Sequence, residues 1–397
     1  MEVYTSDQVT TYNGSMEITI SKGVGTGITQ NYEGEVSSVS MAFTSGMVTS
    51  WNKFCFTGGY LEASVKMPGD DFTSGFWPAI WLLGNLGRAG YMASTQGFWP
   101  YSYDVCDAAA GMVDWSSLPG QRVPACADAP GFNRTRYGFA QGLGRGSPEI
   151  DLFEMSVPSS LDGVKGTAAA HSGAYTPPYV SQTLQMGPIQ PPGTAFMTSG
   201  VSYPGADATF ATKRNPWSGV YSRPGNTYQD SFSAVSYIDT SYFSTYHKFG
   251  LYWSPGSFLR WYIDDKAVFE ITEAALAAVS NATGAGVGQR NIPVEAMYLV
   301  MNLGMSNDFT PVDLYNLPFP STFNIDYVRV YQAPNAINVG CSPDAYPTQQ
   351  WLACNRDKYI VRKQDKNRIS GKCASGGSRA LPGPVALLLG AVVLMFL

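Results

Sequence analysis

The chain has 397 residues, a length that suits either two domains or one large β-sandwich. Only 14% of residues are charged, while 42 glycines and 13% aromatics favour strands, tight turns and stacking surfaces over helices. A net charge of −5 gives no basic footprint for nucleic acid, and two histidines without zinc-type Cys/His spacing give no transition-metal centre. With no Gly-Lys-Ser/Thr phosphate loop either, no metal and no cofactor is expected.

In chain order, Met1-Glu2-Val3-Tyr4 carries neither a basic n-region nor an apolar run, so no signal peptide is read there. Sequons at Asn13, Asn133 and Asn281 mark acceptor sites for N-glycans. Alternating runs at 16–20 and 60–67, separated by Gly, Pro, Asn and Ser clusters, predict the short strands of a sandwich or barrel. In the strand predicted after Gly75, Trp77, Ala79 and Trp81 share one face, with Phe76, Pro78 and Ile80 on the other. Two tryptophans on one strand face are either a platform for pyranose rings or core. Asn85 and Arg88 follow as candidates for binding sugar hydroxyls, and Trp99 as a further aromatic contact. Trp99-Pro100 opens an insertion, 100–147, rich in Pro and Gly; a Cys106–Cys126 bridge within it would contribute about 3 kcal/mol.

The insertion ends at Glu149-Ile150-Asp151-Leu152-Phe153-Glu154, the most informative segment of the chain. Apolar Ile150 and Leu152 hold even positions, whereas Met155 and Val157 hold odd ones. The polar series slips at the same place, from Glu149 and Asp151 to Glu154 and Ser156. A regular strand alternates faces, so one extra residue at Leu152-Phe153, a β-bulge, is predicted to bring all three carboxylates onto one face. Crowded carboxylates are candidates for paired acid chemistry, the alternative being a solvated acidic edge. A retaining glycosidase needs two carboxyls roughly 5–5.5 Å apart, a spacing that Glu149 and Glu154 could meet with Asp151 between them.

Beyond this strand, His171 is read as a structural or cleft residue, and the Pro/Gly/Ser/Tyr-rich stretch 177–227 as a cleft wall. Trp253 and Trp261 are read as cleft or core, and 271–279 as the one short helix. After residue 334 the composition changes to an extension with Cys341, Cys354 and Cys373, and Cys55 is expected to pair with one of them. Six cysteines and the sequons point to an oxidising compartment. The last 23 residues, 375–397, are a small-residue spacer and an apolar run from Val385 to Leu397. As a helix that run is about 20 Å long, short of the ~30 Å hydrocarbon core, and it matches a GPI-attachment signal or a truncated span.

Taken together, Gly75-Phe76-Trp77-Pro78-Ala79-Ile80-Trp81-Leu82-Leu83-Gly84-Asn85, Trp99-Pro100, the acidic strand, His247-Lys248-Phe249-Gly250-Leu251-Tyr252-Trp253, Leu299-Val300-Met301-Asn302-Leu303-Gly304 and Ile325-Asp326-Tyr327-Val328-Arg329-Val330-Tyr331 resemble glycoside hydrolase family 16 in order. These are the laminarinase-like enzymes, and the resemblance covers residues 4–332. The insertion, with Trp99-Pro100-Tyr101-Ser102-Tyr103-Asp104-Val105-Cys106-Asp107 and Gly142-Leu143-Gly144-Arg145-Gly146-Ser147-Pro148-Glu149, narrows it. That combination is similar to the fungal β-glucan-synthesis-associated membrane proteins, a branch linked to cell-wall β-1,6-glucan.

The resemblance implies an all-β, concanavalin A-like jelly-roll sandwich over 1–333 that lacks its first strand, with a membrane signal-anchor further upstream. It implies a retaining glycosidase or transglycosylase on β-glucan. Glu149 is then the nucleophile and remains ionised, Glu154 is the acid/base with a raised pKa, and Asp151 supports Glu149. Trp77, Trp81 and Trp99 would contact substrate. The alternatives are a degradative β-1,3-glucanase and a non-catalytic glucan-binding protein on the same scaffold.

Overall fold

In the computed structural model, residues 1–95, 134–140, 144–158, 177–190, 197–217, 229–280, 286–361 and 367–374 are described. Among them two large sheets face each other. The first runs Glu2–Tyr4, Val36–Ser45, Ser15–Gln30, Ser321–Tyr331, Gly59–Lys66, His247–Ser254, Phe258–Ile263, Lys266–Thr272 and Val201–Ser202, with Val9–Tyr12 paired to Ser15–Gln30. The second runs Lys213–Arg214, Gln229–Tyr237, Tyr179–Gln190, Glu149–Ser156, Trp77–Gly84, Met297–Gly304 and Met47–Thr49, with Cys55–Phe56 paired to Met297–Gly304. Within both sheets neighbours are antiparallel, except for Glu2–Tyr4, which lies parallel to Val36–Ser45. This is the two-sheet sandwich expected from the sequence.

Period-two burial explains why the sheets stack. Along Gly59–Lys66, Leu61, Ala63 and Val65 are all buried to within 1%. They meet Ile80, Leu82, Ile150, Leu152, Met155, Val180 and Leu184 from the opposite sheet in one core. Trp253 and Trp261 belong to this core, which settles their two readings. The helix expected at 271–279 does not form. Strand Lys266–Thr272 continues through Ile271, a 3₁₀ turn spans Glu273–Leu276, and Val279–Ser280 pairs with Gly286–Val287. Val268, Phe269 and Ile271 are wholly buried and prefer the pleated surface, and the short Ala/Leu run that follows cannot offset helix nucleation.

The chain after Tyr331 returns to the second sheet. Disulfide Cys55–Cys341 ties it there, Cys354–Cys373 closes the segment on itself, and short helices Gln349–Cys354 and Arg356–Tyr359 pack on the face turned away from the main core. A second apolar cluster results, in which Trp351, Leu352, Tyr359 and Ile369 cover Trp51, Leu83, Leu86, Tyr298 and Val300. Cys55 thus pairs as expected, with Cys341. The two disulfides point to the secretory pathway. Cys106, Cys126 and the apolar tail 375–397 lie outside the described residues, among which no helix is long and apolar enough to cross a membrane.

Candidate active site

The sequence slip at Leu152-Phe153 is a real irregularity in the ladder. On one side Ile80 pairs with Phe153 and Trp81 with Asp151; on the other Ser181 pairs with Glu154 and Thr183 with Asp151. Both neighbours skip Leu152. The extra residue lets Leu152 and Phe153 both bury in the core, at 1% and 0% exposure, with Phe153 against Phe249 at 4.3 Å. The indole N–H of Trp261, reaching from the opposite sheet, donates to the Asp151 carbonyl at 2.8 Å and steadies the disrupted backbone.

Glu149, Asp151 and Glu154 consequently share the outer face of the strand. Gln185 Nε2 donates to Glu149 Oε1 at 2.7 Å and to Asp151 Oδ2 at 3.2 Å. Trp77 Nε1 donates to Glu154 Oε1 at 2.9 Å, and the Ser181 hydroxyl lies 3.4 Å from Oε2. Asp151 is buried, whereas the two glutamates are half-buried and reachable from outside.

Burial pushes all three acids up, and the charges of neighbouring acids add to it at Glu149 and Asp151. Glu149 is raised to about 8 by burial and then by the charge of Glu154, against a hydrogen bond from Asp151 that favours its anion. Asp151 is held well above the usual carboxylate range by burial, then by Glu154 and Glu149. Glu154 is raised to about 7 by burial, opposed by the donors Trp77 and Ser181. The expectation that Glu154 is raised while Glu149 remains ionised is corrected here, because burial and the charge of Glu154 raise Glu149 as well. A hydrogen bond between Asp151 and Glu149 lowers Glu149 and raises Asp151, so the acids titrate as one set and not independently.

A stability prediction follows from these directions. An acid raised in the folded state stabilises the fold below its unfolded pKa and loses that contribution as pH rises through the folded value. From about pH 4.5 to 8 the three acids should therefore lower the melting temperature. Asp151→Asn, which imitates the protonated acid, should melt at a higher temperature than wild type at pH 8 and nearly with it at pH 4.5. Parallel melting curves across that window would remove this account of the cluster.

Among the other sequence candidates, Trp77 and Trp81 stand half-buried on the same outer face as the acids, while Phe76 and Ile80 enter the core. The Trp77 ring stacks on Phe309 at 4.3 Å, and Trp81 Nε1 donates to Asn302 Oδ1 at 2.8 Å. Asn85 and Arg88 require correction as sugar contacts. Asn85 is 1% exposed, and its amide binds Asn52, the Cys341 carbonyl and the Thr348 hydroxyl. Arg88 is 5% exposed, donates to the Tyr359 carbonyl and lies over the rings of Trp51 and Tyr91. Both follow the end of the tryptophan strand and sit under the C-terminal segment, where their polar groups are already committed. Trp99 and His171 lie outside the described residues, as do Asn133 and Asn281; Asn13 is exposed at the Asn13-Gly14 hairpin turn.

Sequence reasoning missed Gln185, Ser181 and Phe309. The first two lie on Tyr179–Gln190, a twelve-residue strand inside the stretch read as a cleft wall.

Two other places compete for attention and yield to this one. Ser241 Oγ lies 3.0 Å from His247 Nε2, and His247 Nδ1 lies 2.8 Å from Asp264 Oδ2, the order of a hydrolytic triad. Both the amide and the hydroxyl of Ser241 instead donate to Asp239, so the hydroxyl proton is directed at a carboxylate and not at the imidazole. A cavity of about 710 Å³ at the sandwich edge is lined mainly by apolar groups such as Met16, Phe54, Leu299, Met301 and Val328. It holds a single carboxylate, Asp326, and lacks the paired acids of the bulged strand.

Comparison with known proteins finds relatives over most of the chain. The family model described as beta-glucan synthesis-associated protein SKN1/KRE6/Sbg1 matches residues 1–370. The beta-glucan synthesis-associated protein SKN1 of Candida albicans is 34% identical over 373 residues, covering 90% of this chain and 44% of that protein. KRE6 of Saccharomyces cerevisiae, described in the same words, is 31% identical over 400 residues, covering 94% and 49%. The chain therefore spans about half the length of the curated relatives it matches. Among solved structures, the laminarinase catalytic domain of Thermotoga maritima is similar at a TM-score of 0.44 and 17% identity, covering 84% of this chain and 83% of that one. The match over nearly all of the described chain places it in the beta-glucan synthesis-associated SKN1/KRE6/Sbg1 family.

Proposed function

We propose that this chain is a retaining glycosidase or transglycosylase that remodels β-glucan of the cell wall during its synthesis. Glu149 attacks the anomeric carbon, Asp151 stabilises Glu149 through the hydrogen bond between them, and Glu154 protonates the departing oxygen. Glu154 then deprotonates the acceptor, which is water or another glucan hydroxyl. The observation that carries this reading is the bulge, which gathers three acids on one face despite their repulsion. A binding-only protein has no need of such a cluster. Membrane or cell-surface attachment, with N-glycans at the sequons, belongs to the same proposal.

The test is to incubate the protein with β-1,3- and β-1,6-linked oligosaccharides at rising acceptor concentration and to read the products by mass. Products longer than the starting oligosaccharide, increasing with acceptor, are expected. Only shortened products at high acceptor would favour a degradative glucanase. Glucan binding without any product, in folded protein, would favour the binding-only alternative.

A further inference from the structure

The tryptophan strand was expected to present Trp77 to the sugar, yet its polar and aromatic contacts are directed elsewhere. Its only ring N–H donates to Glu154 Oε1 at 2.9 Å. One face of its indole lies flat on Phe309, with centroids 4.3 Å apart and planes 5° from parallel. Phe309 belongs to the segment after strand Met297–Gly304, and that segment is tied down by Phe309 N to Ser306 O and by Thr310 Oγ1 to Val157 O. Trp81, one turn of the pleat away, makes no such contact with an acid and donates to Asn302. The two tryptophans share a face but not a task.

We propose that Trp77 acts as a positioning residue for Glu154, and that Phe309 holds the Trp77 indole in place for that purpose. The inference rests on the retaining reading, in which Glu154 is the acid/base. A carboxylate that alternates between acid and base must stay in one orientation while its proton comes and goes. A fixed N–H on Oε1 does this, since it holds that oxygen, while Oε2, met by the Ser181 hydroxyl only at 3.4 Å, carries the transferred proton. The same donor favours the anion, and so partly offsets the upward push of burial. The flat stack supplies rigidity: two aromatic rings in contact resist rotation of the indole about its side-chain bonds.

The experiment reads the Glu154 carboxyl directly. Protein labelled with ¹³C at glutamate carboxyl carbons is titrated by NMR, with the Glu154 resonance assigned from Glu154→Gln. Trp77→Phe keeps an aromatic ring but loses the donor, and should raise the Glu154 midpoint by about one pH unit. Phe309→Leu should raise it by less, Phe309→Tyr should leave it in place, and Trp81→Phe should not move it. On an aryl β-glucoside, the basic limb of kcat/KM should shift with the NMR midpoint in each variant.

An unmoved midpoint in Trp77→Phe, with a raised KM, would overturn the proposal and return Trp77 to the role of sugar platform. A shifted midpoint in Trp77→Phe beside an unmoved one in Phe309→Leu would overturn the Phe309 half. Should Trp77→Phe fail to fold, the Phe309 pair decides alone. A midpoint that moves as expected, in a wild-type protein that turns over no glycoside, would sink the retaining reading and leave the positioning contact intact.

Discussion

Glu149→Gln should fold like the wild type and lose about 10⁴-fold or more in turnover, because no covalent glycosyl intermediate can form without the nucleophile. Gln preserves the size of the side chain and can still meet Gln185 and Asp151, so the loss would not be one of structure. Glu154→Ala separates the two roles. It should fail on substrates whose leaving oxygen needs protonation, yet still form the intermediate from a glycoside with an activated leaving group. Added azide, which needs no deprotonation, should then accelerate turnover and yield a β-glycosyl azide. Retained configuration in that product assigns Glu154 as the acid/base of a double displacement and, with the loss in Glu149→Gln, leaves Glu149 as the attacking group. Near wild-type activity in Glu149→Gln would end the proposed mechanism, and an α-azide would assign the wrong stereochemical course.

The acidic strand was legible because two independent series, one apolar and one polar, slip at the same step, and only a bulge satisfies both. The core pays for no polar group there: Leu152 and Phe153 both turn inward, and the acids all turn out. Strand Tyr179–Gln190 was equally periodic. Val180, Leu184 and Met186 are buried in the core, while Ser181 and Gln185 reach the acids. Its signal was hidden by the Pro- and Gly-rich sequence that follows, which dominates composition over the longer window.

Asn85 and Arg88 failed for a different reason. Their partners Thr348 and Tyr359 lie 263 and 271 residues away, so nothing local distinguishes a cleft residue from one buried beneath a returning chain end. Phe309 is likewise invisible in sequence as a partner of Trp77. The reading of the strands rested on local period, whereas these contacts depend on which loops and ends the sandwich brings together.

Glu295→Ala should be the most destabilising single change outside the main core, by about 3–5 kcal/mol in urea unfolding. Glu295 and Arg145 are each 1% exposed, and Arg145 Nη2 meets Glu295 Oε2 at 2.8 Å. Glu295 Oε1 also accepts from the Gly146 amide at 2.7 Å, and Arg145 Nη1 donates to the Pro347 carbonyl. Removing the carboxylate would leave a cation and an amide buried with their acceptor gone. The pair also sits just ahead of Glu149: Ser147 Oγ donates to Gly84 O at 2.6 Å, and Gly84 has no room for a Cβ, which would fall 2.6 Å from Ser147 Cα. The start of the acidic strand is thereby pinned between the tryptophan strand and the C-terminal segment. Replacing both partners, as Arg145→Met with Glu295→Met, removes the charges together and should recover most of the stability. If the contact also aligns Glu149, the double variant should remain slower in turnover despite its recovered stability. Full recovery of both would confine the ion pair to folding, and a loss below about 1 kcal/mol in Glu295→Ala would show that it does not hold the strand at all.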